Sequence, residues 1–289
     1  GMSKNEPEEL DLPAEIPEGE IIHLPFLQCF QTGDIEQVRR HLESNVDVNQ
    51  EDLLGKTALH FACEGGHQDI VKLLISKGAD VNCNTVAGKS ALHCACESGN
   101  IEIVKRLISK KADITHKAGN GKNALHFACG KGNIEIVNLL ISKKLDINMT
   151  DSWQKSALHF ACDGGNVEIA ELLISLEADI NAPDKNQNTP LHIACERANI
   201  GIVELLLAEK DVDFNAKDKA GKIPFQIIPT WRFKAPELVR IGIKLCGVHH
   251  MTAEEFLQIL PPDFIKDGEE DLILQQISNA VQRKSARKQ

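Results

Sequence analysis

Gly55-Lys56-Thr57-Ala58-Leu59-His60-Phe61-Ala62-Cys63 is the clearest of five copies of one stretch. It returns at Gly88-Lys89-Ser90-Ala91-Leu92-His93, Gly121-Lys122-Asn123-Ala124-Leu125-His126, Gln154-Lys155-Ser156-Ala157-Leu158-His159 and Gln187-Asn188-Thr189-Pro190-Leu191-His192. The five histidines stand 33 residues apart each time. A fixed period of this size marks a solenoid, in which each unit buries its apolar face only by stacking on a neighbour. The rest of the unit repeats as well. Ile70-Val71-Lys72-Leu73-Leu74-Ile75 begins ten residues after the first histidine, and Gly78-Ala79-Asp80-Val81-Asn82 follows it.

This pattern resembles the ankyrin repeat, which reads D-x-x-G-x-T-P-L-H-x-A, then G-H-x-x-I-V-x-x-L-L, then G-A-D-V-N. The resemblance covers roughly residues 22 to 247. It implies an all-α solenoid of stacked helix-turn-helix units with β-turn fingers, and C-terminal helices follow it. About seven repeats including caps are expected, a count broadly similar to that of gankyrin-type adaptors.

Residues 1–20 are expected to be a disordered acidic tail, since Pro7, Pro13, Pro17 and seven acids leave little apolar surface to bury. Residues 21–49 read as an N-terminal capping repeat without the T-P-L-H box. Five full repeats span 50–215, and a degraded repeat at 216–247 reads as the C-terminal cap. There Gly221-Lys222-Ile223-Pro224-Phe225-Gln226 replaces the box, and Pro229 shortens the first helix. Thr57, Ser90, Asn123, Ser156 and Thr189 suit helix N-caps, and Pro190 suits a first helical turn. The glycines near 65, 99, 132 and 165 suit helix ends. Phe61, Phe127, Phe160 and Ile193 are expected to add core bulk. Residues 248–289 form a helical extension with a basic tail. It holds a capping box at Thr252-Ala253-Glu254-Glu255 and an amphipathic stretch from Asp267 to Val281. These helices either pack on the end of the solenoid or form a separate docking element.

The formal charge of -10 is uneven, because residues 1–20 carry one lysine against seven acids. The array itself is close to neutral, which argues against nucleic acid as a partner, since phosphates need a basic stripe. No apolar run reaches the about 20 residues of a membrane span, so no membrane partner is expected. The N-terminus shows no signal-peptide pattern. Nine cysteines include a ladder at Cys63, Cys96, Cys129, Cys162 and Cys195. Equivalent positions on stacked helices lie about 8–10 Å apart, beyond the about 7 Å that a disulfide spans between Cα atoms. Free thiols suit a reducing compartment, and the reading is cytoplasmic, with the nucleus as the second choice.

Each ladder cysteine follows its histidine by three residues, on one helix face. A metal site or a Cys–His nucleophile must therefore be weighed. Both fail. A reactive centre is needed once, whereas these pairs recur with the fold, and successive pairs are too far apart for one ion with bonds near 2.0–2.3 Å. The resemblance implies that the histidines bond to the backbone of the turn. Gly55-Lys56-Thr57 also echoes the end of a phosphate-binding loop, but Gln50 stands where that loop needs glycine. No catalytic residue, metal ligand or cofactor is assigned, and no enzyme is expected.

What remains is the surface. By resemblance, the finger tips and the inner face of the first helices form a concave groove for a protein partner. Carried over by position, the tip residues are Leu53, Leu54, Lys56, Val86, Lys89, Asn120, Lys122, Trp153, Lys155 and Asn186. The helix-end residues are Glu64, Glu97, Lys131, Asp163, Glu196 and Arg197. The charges read either as solvated surface or as basic fingers over an acidic floor. The expected function is a non-catalytic, monomeric adaptor or scaffold. The alternative is a substrate receptor of a ubiquitin ligase that recruits machinery through its C-terminal helices. Leu260-Pro261-Pro262-Asp263-Phe264 is similar to the Leu-Pro region of a SOCS box, but no elongin-binding helix is evident before it.

Overall fold

A computed structural model describes residues 29–44, 46–229, 235–261 and 269–286. The acidic stretch 1–20 and residues 262–264 lie outside the described residues. Residues 29–32 are helical and lead into α1 (Ile35–Glu43). Five helix pairs follow: α2 (Ala58–Glu64) with α3 (Gln68–Ser76), α4 (Ala91–Ser98) with α5 (Ile101–Ser109), α6 (Ala124–Lys131) with α7 (Ile134–Ser142), α8 (Ala157–Gly164) with α9 (Val167–Ser175), and α10 (Pro190–Glu196) with α11 (Ile200–Leu206). A 3₁₀ turn (Pro224–Ile227), α12 (Ala235–Val248), α13 (Ala253–Ile259) and α14 (Glu270–Ala286) complete the chain. First helices stack on first helices and second helices on second helices along the array, in an all-α solenoid. Among the described residues there is no strand, only isolated bridges such as Glu51 with Thr57 and Thr150 with Ser156.

The first helices run seven or eight residues, too short to be stable alone. Their stability comes from caps and stacking. Thr57, Ser90, Asn123, Ser156 and Thr189 each occupy the N-cap in extended backbone. Three residues on, each histidine turns its Nδ1 back to accept from the N-cap N–H, at 3.1 Å for His60 and 3.2 Å for His93. This is a capping box with histidine in the place of glutamate. In the last repeat Gln226 does the same for Ile223 at 3.1 Å, so the 3₁₀ turn keeps the box although the helix is lost.

Leu59, Ala62 and Cys63 of the first helix, with Ile70, Val71 and Leu74 of the second, are buried, and their counterparts recur down the stack as one continuous core. Phe61 and Phe127 depart from the expected core role. They are half-buried at the edge of the core, whereas Cys94, Phe160 and Ile193 at the same position are buried. This position lies two residues after the inward leucine, at the groove edge, where burial differs from repeat to repeat.

The C-terminal helices fold back on the array. Ile273 and Ile277 of α14 and Phe256 of α13 are buried, and a Cβ built on Gly242 of α12 would stand 2.4 Å from Ile277 and 2.9 Å from Phe256. Glycine at 242 thus permits close approach of α13 and α14 to α12. Cutting the chain near Gly247 would strip this apolar surface from α12.

Candidate functional site

Between helix pairs the chain makes a tight turn, and these turns form a row of fingers along one edge. Asp52, Asp151, Asp184 and Asp218 open four of them. In each, one carboxylate oxygen accepts from two backbone N–H groups further round the turn, for Asp151 those of Trp153 at 2.8 Å and Lys155 at 2.9 Å. Thr85 does part of this through its hydroxyl, accepting from Lys89 N–H at 3.0 Å. Neighbouring fingers are joined by backbone bonds: Val86 N–H to Leu54 C=O at 2.8 Å, Gly119 to Ala87 at 2.8 Å, Ser152 to Asn120 at 3.0 Å, Lys185 to Trp153 at 2.9 Å and Lys219 to Asn186 at 2.9 Å. The histidines add a second tie. His60 Nε2 lies 3.1 Å from Lys89 C=O and His126 Nε2 lies 2.9 Å from Met149 C=O, each in the following turn. The finger row is therefore held by backbone bonds, by the opening Asp or Thr and by the histidines, and the apolar tip side chains between them take no part in those bonds.

Four of the seven exposed large apolar residues among the described residues stand there; Val167 and Leu176 lie at the two ends of α9 and Leu272 on α14. Leu53 is 72 % exposed, Leu54 62 %, Val86 80 % and Trp153 59 %. Leu54 and Val86 are neighbours through their shared backbone bond. Trp153 stands two fingers further along, at one wall of a cleft of about 330 Å³ that Asn120, Lys122, Lys155, Phe160, Asp163 and Asn186 also line.

The charges expected to form basic fingers over an acidic floor are arranged less uniformly. Lys56 Nζ is 3.0 Å from Glu64, and Lys89 pairs with Glu97, eight residues on in each case. Lys131 reaches Glu97 from the next repeat at 3.9 Å. Arg197 Nε binds Asp163 at 2.6 Å, and Glu196 is exposed beside it. Lys122 lies over the Phe160 ring at 4.5 Å and the Phe127 ring at 5.8 Å. The half-buried phenylalanines thus form the groove floor, with lysines above them. The sequence places Phe61 and Phe127 in the core, and the two-residue offset from Leu59 and Leu125 does not separate them from the buried Cys94, Phe160 and Ile193.

The His–Cys pairs offer no reactive group. Nδ1 accepts from the N-cap N–H, so the proton sits on Nε2 and is donated to the next turn's carbonyl; no lone pair is left for a metal or a thiol. Burial, opposed by the bond to the neighbouring carbonyl, pushes His93 and His126 down to about 4. Burial likewise raises the thiols of Cys63, Cys96, Cys129, Cys162 and Cys195 well above the ordinary cysteine range and that of Cys94 to about 12. Such thiols are not nucleophiles at neutral pH. Among the described residues, no three or more His, Cys, Asp or Glu side chains gather as a metal site.

The family model "Ankyrin repeats (3 copies)" matches residues 26–118 and 125–218. The chain belongs to the ankyrin repeat family. Ankyrin repeats serve in general as protein-binding modules, not catalysts. The solved ankyrin repeat domain of human ASB11 superposes with a TM-score of 0.64 at 25 % identity, over 71 % of this chain and 91 % of that one. Osteoclast-stimulating factor 1 is 37 % identical over 60 residues in Monopterus albus and 38 % identical over 60 residues in Bos taurus. Each match takes in 21 % of this chain and 28 % of the relative, so it spans less than a third of the length of these curated relatives. Among the described residues of this ankyrin protein, no helix is long and apolar enough to cross a membrane.

Proposed function

We propose that this chain is an adaptor or scaffold that holds a protein partner against its fingers and the inner face of its first helices. One observation carries the reading: the four most exposed large apolar residues among the described residues, Leu53, Leu54, Val86 and Trp153, all stand on finger tips, where they serve no purpose in the turn backbone. Val167, Leu176 and Leu272 elsewhere are less exposed, with Leu272 close behind Trp153. Apolar side chains grouped on an exposed edge favour an interface, and aromatic residues are preferred anchors there. The outer faces of the second helices carry charged residues such as Lys72, Glu102 and Lys105, which suit solvent. A ligase-recruiting role for the C-terminal helices finds less support, because Phe256, Ile273 and Ile277 are buried against α12.

The test is a pair of substitutions on opposite faces, read with a purified partner. Trp153→Ala is expected to weaken binding by about 2 kcal/mol or more, the usual anchor threshold, with the melting curve almost unmoved. Glu135→Arg, on the second-helix side, is expected to leave binding intact. The reverse result would make the convex side the working surface.

A further inference from the structure

The lysine that follows each of the first four fingers does not meet the same surroundings in every repeat; Asn188 replaces it in the fifth. In the first two full repeats it is neutralised within its own unit, Lys56 by Glu64 and Lys89 by Glu97. In the third, the position eight residues after Lys122 is Gly130, and the carboxylate is missing. In the fourth, the position eight residues after Lys155 is Asp163, and that carboxylate is bound by Arg197 from the following repeat at 2.6 Å. Lys185 extends over the Trp153 ring at 5.6 Å. Among the described residues, Lys122, Lys155 and Lys185 form no ion pair. All three line the cleft beside Trp153.

Two other carboxylates line that cleft, Asp151 and Asp184. Both are buried, and each turns one oxygen into its own finger to accept backbone N–H groups. The groups presented to an incoming ligand are therefore ammonium heads around an aromatic wall built of Trp153 and Phe160. The N-terminal half of the groove is charge-satisfied by contrast. Asp163 at the rim and the two buried aspartates limit how much negative charge the cleft tolerates, which disfavours a polyphosphate backbone.

Resting on the reading of the finger side as the binding face, we infer that the Trp153 cleft takes an acidic peptide segment of a protein partner. In that segment a glutamate or aspartate lies next to a bulky apolar side chain. The apolar group packs on the exposed indole, and the carboxylate replaces the ion pair that Gly130 and Arg197 withhold from Lys122 and Lys155. The indole supplies most of the affinity, and the lysines supply orientation and a dependence on salt.

The probe is a phage-displayed library of random linear peptides selected on the full chain, with the winning peptides synthesised and titrated. The expected winners carry Asp or Glu beside Leu, Phe or Trp. Their binding falls at least about 30-fold in Trp153→Ala, about the factor that separates an anchor from a neutral contact. Lys122→Glu with Lys155→Glu costs about 10-fold or more, and Lys72→Glu on the outer face costs nothing. Binding also weakens as sodium chloride is raised. Winners that need Trp153 but are neutral or basic, or that ignore the Lys122 and Lys155 reversals, overturn the acidic preference and leave the finger-side reading standing. Winners that bind Trp153→Ala normally and are lost in Glu135→Arg overturn the finger-side reading itself. Failure of the library to yield any peptide that depends on Trp153 also overturns the inference.

Discussion

The side-chain amide of Asn166 donates to the backbone carbonyl of Cys129, 37 residues earlier, at 2.6 Å. The same bond recurs from Asn133 to Cys96 at 2.9 Å and from Asn199 to Cys162 at 2.6 Å, and Asn100 reaches Gly66 at 3.1 Å. His67 takes the equivalent place at the first junction, with Nε2 2.7 Å from Gln31 C=O. Each asparagine is the N-cap of a second helix, yet its amide closes a carbonyl at the end of the first helix one repeat back, within the last turn for Asn133, Asn166 and Asn199 and just past the C-cap for Asn100. Such end carbonyls have no partner within their own helix.

Asn166→Ala is accordingly expected to lower stability by about 1 kcal/mol, the net worth of a hydrogen bond, because Cys129 C=O then keeps only the long bond from Gly132 N–H at 3.4 Å. Asn166→Asp keeps the shape but has no donor, so it should be at least as damaging. Urea unfolding of the two variants checks this, and two unchanged midpoints would show that water replaces the amide without cost.

Acid should unfold this protein well above the usual carboxylate range. An unfolded imidazole takes up its proton near pH 6.5, whereas His93 and His126 resist until about pH 4. The folded pKa is depressed, so the stabilisation is complete above about pH 6.5 and is lost as pH falls towards 4. His60, His159 and His192 are shifted in the same direction, again chiefly by burial. At about 1.4 kcal/mol per pH unit, His93 and His126 are each worth on the order of 3 kcal/mol across that window. Denaturation midpoints at pH 7.5, 6.5, 5.5 and 4.5 should fall steadily over the last three. Gln226 already performs the cap without titrating, so His93→Gln with His126→Gln should make that fall shallower. Equal slopes for variant and parent would remove the histidines as the cause.

The finger turns place residue 121 at φ 77° and residue 154 at φ 60°, glycine in one and glutamine in the other. Left-handed backbone is strained for a residue with a Cβ. Gln154→Gly should therefore raise stability by about 0.5–1 kcal/mol. Gly121→Ala should lower it by more than that, because the new Cβ would also stand 2.5 Å from Ser152 N. A thermal melt of each variant decides it; a destabilised Gln154→Gly would mean that the glutamine side chain contributes more than its strain removes.

Thiol reagent added to the native protein should reach two cysteines of the nine, and slowly, because burial and nearby carboxylates raise Cys83 to about 11 and raise Cys246 as well. Cys83 and Cys246 are partly exposed, while Cys29, Cys63, Cys94, Cys96, Cys129, Cys162 and Cys195 are buried. Denaturant should release the other seven together, since six of them lie in the stacked first helices of a single core. Rapid modification of more than two before unfolding would show that the helix stack opens locally.

Period, caps and chemistry of the repeat were legible in the sequence because each depends on neighbours along the chain. The 33-residue spacing of His60, His93, His126, His159 and His192 placed the stack, and Thr57 to Thr189 marked the helix starts, since an N-cap acts on its own first turn. The exposure of Leu53, Leu54, Val86 and Trp153 was legible for the same reason: a turn tip has no inside. Contacts between units were a different matter. That Asn166 serves Cys129 rather than its own helix, and that Arg197 takes Asp163 away from Lys155, depends on partners 37 and 34 residues away, brought within bonding distance only when helices of successive repeats stack. A period states that units are alike; stacking decides which charges each unit gives to its neighbour and which it leaves to a ligand.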